Sequence, residues 1–174
     1  ATGSDGGGSI RIPAAACGVV GLKPTRGRVT WGPLAGEPLL GWAVHFVLTR
    51  SVRDTAACLD ILSGPYPGDP WLAPPPSRPF LDELDEPPGR VRVAYCWEPW
   101  SGRAAIDEMR LACEATAQLL EELGHEVVEA RPAFSWEAFL EAMTVIWSAT
   151  TAQTVDGFAH AVGRTPGPDT LELP

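Results

Sequence analysis

Residues 1–30 read ATGSDGGGSIRIPAAACGVVGLKPTRGRVT, and this stretch decides the fold. Its first feature is a glycine run set against one hydroxyl: Gly6, Gly7, Gly8, Ser9. Glycine has no Cβ, so the backbone can take positive φ and approach a ligand closely. Consecutive amides before a hydroxyl can aim their N–H groups at one point, which is how an oxyanion hole is built beside a nucleophile. A Gly/Ser segment of this composition also reads as a flexible linker. The next residues speak against the linker: Ile10-Arg11-Ile12-Pro13-Ala14-Ala15-Ala16-Cys17-Gly18 and then Gly21-Leu22-Lys23-Pro24-Thr25 form a specific, partly apolar continuation.

The run Gly3-Ser4-Asp5, Gly7-Gly8-Ser9, Arg11, Pro13-Ala14, Cys17-Gly18, Gly21, Lys23-Pro24-Thr25 and Gly27-Arg28-Val29 resembles the signature block of the amidase signature family of serine hydrolases. The segment Leu48-Thr49-Arg50-Ser51-Val52-Arg53-Asp54 with Ala56 and Ala57 is similar to the family as well. Close motif identity thus covers roughly the first third of the chain. The resemblance implies an α/β amidase signature fold, a central mixed β-sheet flanked by helices, of which only the middle portion is present. It implies cleavage of a carboxamide C–N bond through an acyl-enzyme, with Ser9 as nucleophile and the amides of Gly6, Gly7, Gly8 and Ser9 as the oxyanion hole. It further implies a Ser–cis-Ser–Lys mechanism whose bridging serine and lysine lie upstream of residue 1. Lys23, the sole lysine, falls on the family's Leu-Lys-Pro-Thr segment instead. No cofactor is implied. Homodimers are common in the family, so a homodimer is possible here.

Flanking residues separate two kinds of parent. Ser4 to Ser9 and Gly41-Trp42 to Arg53 look more like amidases acting on aliphatic amides and nylon-type cyclic oligomers. The glutamine-cleaving A subunit of the tRNA-dependent amidotransferase shares the signature block. It usually carries other residues where this chain has Pro38-Leu39-Leu40-Gly41-Trp42-Ala43. A fragment inert by itself is the third possibility.

Around that block, bulk properties narrow the class. The chain has 174 residues, 45% of them hydrophobic and 20% charged, with no run long enough to span a bilayer. Neither end carries a start or stop signal, so the expectation is an internal piece of a larger cytoplasmic enzyme. The net charge of −9 divides into +4 over residues 1–53 (six basic, two acidic) and −13 over 54–174 (seven basic, twenty acidic). That acidic body disfavours nucleic acid and anionic membranes as partners; a small-molecule amide substrate is what the resemblance implies. The arginines of the front block are expected to serve as ion-pair and backbone ties. Cys17, Cys58, Cys96 and Cys113 have no C-x-x-C spacing, so buried reduced thiols are expected rather than a metal site or disulfides.

Periodicity gives alternating elements. A loop from Ser9 enters a short helix reaching Ala16, with Pro13 in its first turn. Val19–Leu22 and Ala43–Leu48 read as strands. Ser51 with Asp54 caps a helix to about Leu62, with Val52, Ala56 and Leu59 as its buried stripe. Nine prolines in residues 65–90 predict an extended surface connection with little room for helix. Residues 91–130 read as a βαβ unit: strand 91–96, a helix from Ile106 to Leu123, strand 126–130. The helix is expected to bury Ile106, Met109, Cys113, Leu119, Leu120 and Leu123. Residues 136–174 read as a truncated helical segment, helical to about Val155, with Trp136, Phe139, Leu140, Met143 and Trp147 in the core or facing substrate; their size favours the core.

Other chemistry is weighed at single residues. Asp5 and Arg11 flank the glycines and are expected to hold the loop by pairing with each other or with backbone. His45, His125 and His160 are scattered; a Ser–His–Asp arrangement through His45 stays open, because triads are spatial.

Overall fold

The computed structural model describes residues 1–33, 35–36 and 38–171. Residues Ala1–Glu86 with Val145–Pro174 form one compact unit and Pro87–Thr144 a second.

The first unit is built on three strands. β1 (Thr2–Asp5) and β2 (Val20–Gly21) both lie antiparallel to the central β3 (Val44–Thr49). The register sets Ser4 opposite His45 and Asp5 opposite Val44. β3 forms because Val44, Phe46 and Val47 are β-branched or aromatic, and Val44 and Phe46 point into the core at 5% and 3% exposure. Between β1 and β2 runs α1 (Arg11–Cys17), which buries Ala14 and ends at Gly18 in the left-handed region. Pro13 sits in its first turn, where a missing N–H costs nothing. Helix and strand touch closely at Gly21: a Cβ there would collide with the Cβ of Ala14 and stand 3.0 Å from the carbonyl oxygen of Ile10.

α2 (Val52–Leu62) starts where the Ser51 hydroxyl accepts the Asp54 N–H at 3.1 Å. Its buried face is Thr55 and Ala56, with Leu59 half-buried; Val52, expected inside, lies in the first turn and is 59% exposed.

The proline-rich segment is tied to this unit by scattered polar contacts. Thr30 donates to Asp69, and Asp60 accepts the N–H groups of Phe80 and Leu81 at 2.6 and 2.9 Å. The front-block arginines also grip it, through rings rather than carboxylates: Arg26 lies over Trp71 and Arg28 over Phe80. Among the described residues the expectation of ion-pair ties is met in the front block only at Arg11. One helical turn does form within the segment, a 3₁₀ turn at Asp82–Asp85, where Arg78 pairs with Glu83 and Glu86.

In the second unit, β4 (Arg92–Tyr95) and β5 (Glu126–Glu129) pair in parallel, joined by α3 (Asp107–Glu122). Strands of both orientations are therefore present, divided between two small sheets. Two strands cannot cover the apolar face expected of α3. Ala117 is buried and Leu120 half-buried, while Ile106, Met109, Cys113, Leu119 and Leu123 are exposed.

The last helix, α4 (Trp136–Val162), is seven residues longer than expected and has no buried residue. Trp136, Phe139 and Met143 are half-buried; Leu140 and Trp147 are exposed. The four cysteines are free thiols, none of them buried: Cys17 and Cys113 are exposed, Cys58 and Cys96 half-buried. Among the described residues no helix is long and apolar enough to cross a membrane.

Candidate active site

β1 delivers the chain to a fixed point and α1 carries it away; the four residues between them are Gly6 to Ser9, with Ile10 leading into the helix. Two fully buried side chains anchor this turn from beneath, Asp5 and Ile10, each at 0% exposure. Gly7 and Ser9 are exposed above them, and Gly8 is buried. A hydroxyl presented on a loop whose base is held this firmly is accessible without being mobile.

Asp5 is the organiser. Its Oδ1 accepts the Gly8 N–H at 2.7 Å, and its Oδ2 accepts those of Ile10 and Arg11 at 3.3 and 3.4 Å. The Arg11 guanidinium closes on the same carboxylate in two-pronged fashion, Nε on Oδ2 and Nη2 on Oδ1, both at 2.9 Å. A buried carboxylate would ordinarily resist ionisation. Here the Arg11 hydrogen bonds outweigh that burial and, with the amides of Gly8 and Ile10, hold Asp5 well below the usual carboxylate range. The same pairing raises Arg11. Since the Ile10 and Arg11 amides open α1, Asp5 also supplies the negative charge that a helix start favours.

This geometry commits one of the four amides expected to face a substrate oxygen. The Gly8 N–H is spent on Asp5. Among the described residues, those of Gly6, Gly7 and Ser9 have no protein hydrogen-bond partner. Gly8 has φ +120°, a conformation closed to side-chain-bearing residues, and a Cβ there would come within 2.7 Å of Ile12 Cδ1. Gly7 has no positive φ and ordinary space around it.

The candidate bases are engaged elsewhere. Lys23 Nζ donates to the Pro24 carbonyl at 3.0 Å. It lines a cavity of about 200 Å³ with Asp5, Gly6, Arg11 and Arg26, which Ser9 does not reach. His45 Nε2 lies 2.6 Å from the Thr30 carbonyl oxygen and must donate to it; its ring stacks on Trp31 at 4.2 Å. No protein hydrogen bond to the Ser9 hydroxyl is present among the described residues. His125 accepts the Val91 N–H in the second unit, and His160 lies near the end of α4. Among the described residues no group of three or more His, Cys, Asp or Glu could hold a metal ion.

Two apolar side chains stand beside the glycines: Leu39, which the sequence did not single out, and Trp147, for which the core was the favoured reading and a substrate-facing place the alternative. A Cβ at Gly6 would meet Leu39 Cδ1 at 2.7 Å and Trp147 Cζ2 at 3.7 Å; one at Gly7 would meet Trp147 Cζ2 at 3.9 Å. Trp147 is about 140 residues away in sequence, and no local periodicity links it to the turn.

Comparison with known proteins places this geometry. A family model described as Amidase matches residues 1–171. The 6-aminohexanoate-cyclic-dimer hydrolase of Paenarthrobacter ureafaciens is 41% identical over 176 residues, covering 99% of this chain and 36% of that protein. A solved structure of a 6-aminohexanoate cyclic dimer hydrolase complexed with substrate superposes with a TM-score of 0.88 at 39% identity, over 98% of this chain and 36% of the other. The glutamyl-tRNA(Gln) amidotransferase A subunit of Macrococcus caseolyticus is 39% identical over 128 residues, 73% of this chain and 26% of its own. The chain spans about a third of the length of the relatives it matches. With the glycine–serine turn, its Asp5–Arg11 anchor and a family match over nearly every residue, the chain belongs to the amidase signature family.

Proposed function

We propose that the protein carrying this chain is an amidohydrolase that cleaves a carboxamide C–N bond through an acyl-enzyme on Ser9. The observation that carries the reading is the exposed Ser9 hydroxyl on a turn with three unspent amides, those of Gly6, Gly7 and Ser9 itself. Ser9 Oγ attacks the carbonyl carbon, and the electron pair of the C=O bond moves onto the oxygen. The amides of Gly6, Gly7 and Ser9 stabilise that oxyanion; Gly8 contributes the turn and leaves its N–H on Asp5. The C–N bond then breaks, the amine departs with a proton, and an ester to Ser9 remains. Water adds to the ester, releasing a carboxylic acid and restoring the hydroxyl. A serine hydroxyl needs a base for both steps. We assign that work to the bridging serine and neutral lysine implied by the signature block, outside residues 1–174. No cofactor takes part.

The substrate class follows the relatives: a linear or cyclic amide with an aliphatic backbone, as in the 6-aminohexanoate cyclic dimer named for two of them. The test is covalent. A fluorophosphonate should label the full-length protein at Ser9, and Ser9→Ala should abolish labelling and turnover together; labelling that survives the change overturns the assignment. The likeness to an amidotransferase A subunit supports a second reading, release of ammonia from glutamine for transfer within an assembly. Glutamine hydrolysis that far exceeds hydrolysis of hexanamide would favour it.

A further inference from the structure

Resting on the amidohydrolase reading, a more specific role emerges for side chains the catalytic steps do not use. Trp147, on α4, keeps 42% of its surface exposed, and its Cζ2 stands 3.7 and 3.9 Å from where a Cβ on Gly6 and on Gly7 would lie. Large apolar side chains usually go inside, so an exposed indole parked at a candidate reaction centre calls for a partner. Leu39 Cδ1 stands near the same glycine, close enough that any Cβ at Gly6 would displace it. Its backbone is unusual as well. Leu39 and Leu40 both lie in the left-handed region, at φ 53° and 54°, which bulky non-glycine residues seldom occupy. Strain of this kind persists where the surroundings over-determine it, and it gathers at ligand clamps. Here its effect is to bring the Leu39 side chain against Gly6.

We propose that Trp147 and Leu39 are specificity-determining residues: together they form an apolar wall beside Gly6 and Gly7 against which the hydrocarbon part of the amide substrate lies. Nothing in this wall can donate to or accept from a substrate except the indole N–H, so it selects by apolar area rather than by hydrogen bonding. A substrate with a polymethylene or aryl group next to the scissile amide gains from it; acetamide gains almost nothing. At Gly6 the missing Cβ leaves room for Leu39 Cδ1, whereas the indole stands at ordinary contact distance from a Cβ at either glycine.

The experiment uses the full-length protein and compares hexanamide with acetamide. Trp147→Ala should lower the hexanamide-to-acetamide ratio of kcat/KM by about tenfold or more, in line with the discrimination of single apolar groups in hydrophobic pockets. Leu39→Ala should shift the ratio in the same direction, and Trp147→Phe should restore most of it. A direct binding arm separates this proposal from the reaction itself. In a Ser9→Ala background, hexanamide binding measured by calorimetry should weaken by a similar factor in Trp147→Ala, whatever residue performs the chemistry. If Ser9 proves not to be the nucleophile but this binding loss is seen, the wall stands and the mechanism falls. If the ratio and the hexanamide affinity are unchanged in Trp147→Ala, or hexanamide binds neither protein, the wall is wrong. Thermal melts of each variant identify any that fail to fold, and Trp147→Phe then carries the comparison.

Discussion

Asp5 Oδ1 and the Gly8 N–H meet at 2.7 Å, so a single buried carboxylate holds the third amide of the glycine run inward while Gly7 and Ser9 on either side of it stay exposed. Gly8 shapes the turn. On the proposed reading its neighbours are left to bind, so structural and chemical duties are divided within four residues.

That division predicts unequal glycines. Gly8→Ala places a side chain at φ +120° and against Ile12, so the turn must rearrange and the Gly7 and Ser9 amides move with it. Loss of one oxyanion donor typically costs about 10²–10³ in rate, and kcat in the full-length enzyme should fall by that much. Gly7→Ala keeps its N–H, has no positive φ and meets only Trp147 at 3.9 Å; its effect on kcat should be at least tenfold smaller. Equal losses in the two variants would contradict the assignment.

Asp5→Asn tests the anchor. The amide can accept at one end only, and its NH₂ would face the donors of Ile10 or Arg11. Leaving buried donors unmatched should cost about 1–3 kcal/mol by urea unfolding. The pH dependence has a definite sign. Asp5 is held below its unfolded pKa, so its contribution is complete above the unfolded value of about 4 and is lost as pH falls through the lower folded value. The stability gap between parent and Asp5→Asn should therefore be widest above about pH 5 and narrow as the pH is lowered below 4. A gap independent of pH would remove the ionised carboxylate from the account.

The sequence was most legible where the signal was local. Ser51 and Asp54 announced the start of α2, and the β-branched and aromatic residues of 43–48 announced β3; both elements lie within a residue of the expected bounds. The pairing of Asp5 with Arg11 was readable from their positions around the glycines. Direction was the part that could not be read. Composition does not say that the Gly8 amide turns under the loop, because that depends on φ +120° and the depth of Asp5. Nor could periodicity tell which apolar faces find cover. The apolar side chains of α3 repeat as a buried face should, yet a two-stranded sheet leaves Met109 and Leu119 exposed. Size favoured the core for Trp147 over a place facing substrate; its approach to Gly7 is a tertiary fact with no local trace.

The cap of α2 offers a control remote from the site. Ser51→Ala removes the acceptor of the Asp54 N–H and should lower stability by about 1 kcal/mol in thermal or urea unfolding. Fluorophosphonate labelling of Ser9 should keep its parental rate. A labelling defect as large as that of Gly8→Ala would mean that the site responds to general destabilisation rather than to loop geometry.

Lys23→Met and His45→Gln address the base directly. Lys23 Nζ is held on the Pro24 carbonyl, and His45 is pinned between the Thr30 carbonyl and the Trp31 ring. Neither is arranged to take a proton from Ser9. In the full-length protein both variants should retain Ser9 labelling within a few-fold of the parent, and the pH profile of labelling should keep its position. A loss of about 10²-fold in either, the low end for a removed general base, would move the base into this chain.

Residues 1–174 by themselves should be inert. They contain the nucleophile and the three free amides but, on the present assignment, no group that activates the hydroxyl. They also display apolar side chains in quantity: Ile106, Met109, Leu111, Leu119 and Leu123 on or beside α3, and Leu140, Val145 and Trp147 on α4. Exposed apolar surface of this kind drives association, and among the described residues β1 and β2 are the two edges of their sheet. The purified 174-residue chain should therefore self-associate in sedimentation experiments. It should show no hydrolysis of hexanamide, p-nitroanilides or glutamine above buffer. Supplying the segment that precedes residue 1 in the full-length protein, fused or as a separate chain, should restore activity that Ser9→Ala abolishes. Ser9-dependent turnover by residues 1–174 alone would place the base among them, promote Lys23 or His45 to that role, and exclude the Ser–cis-Ser–Lys arrangement for this protein.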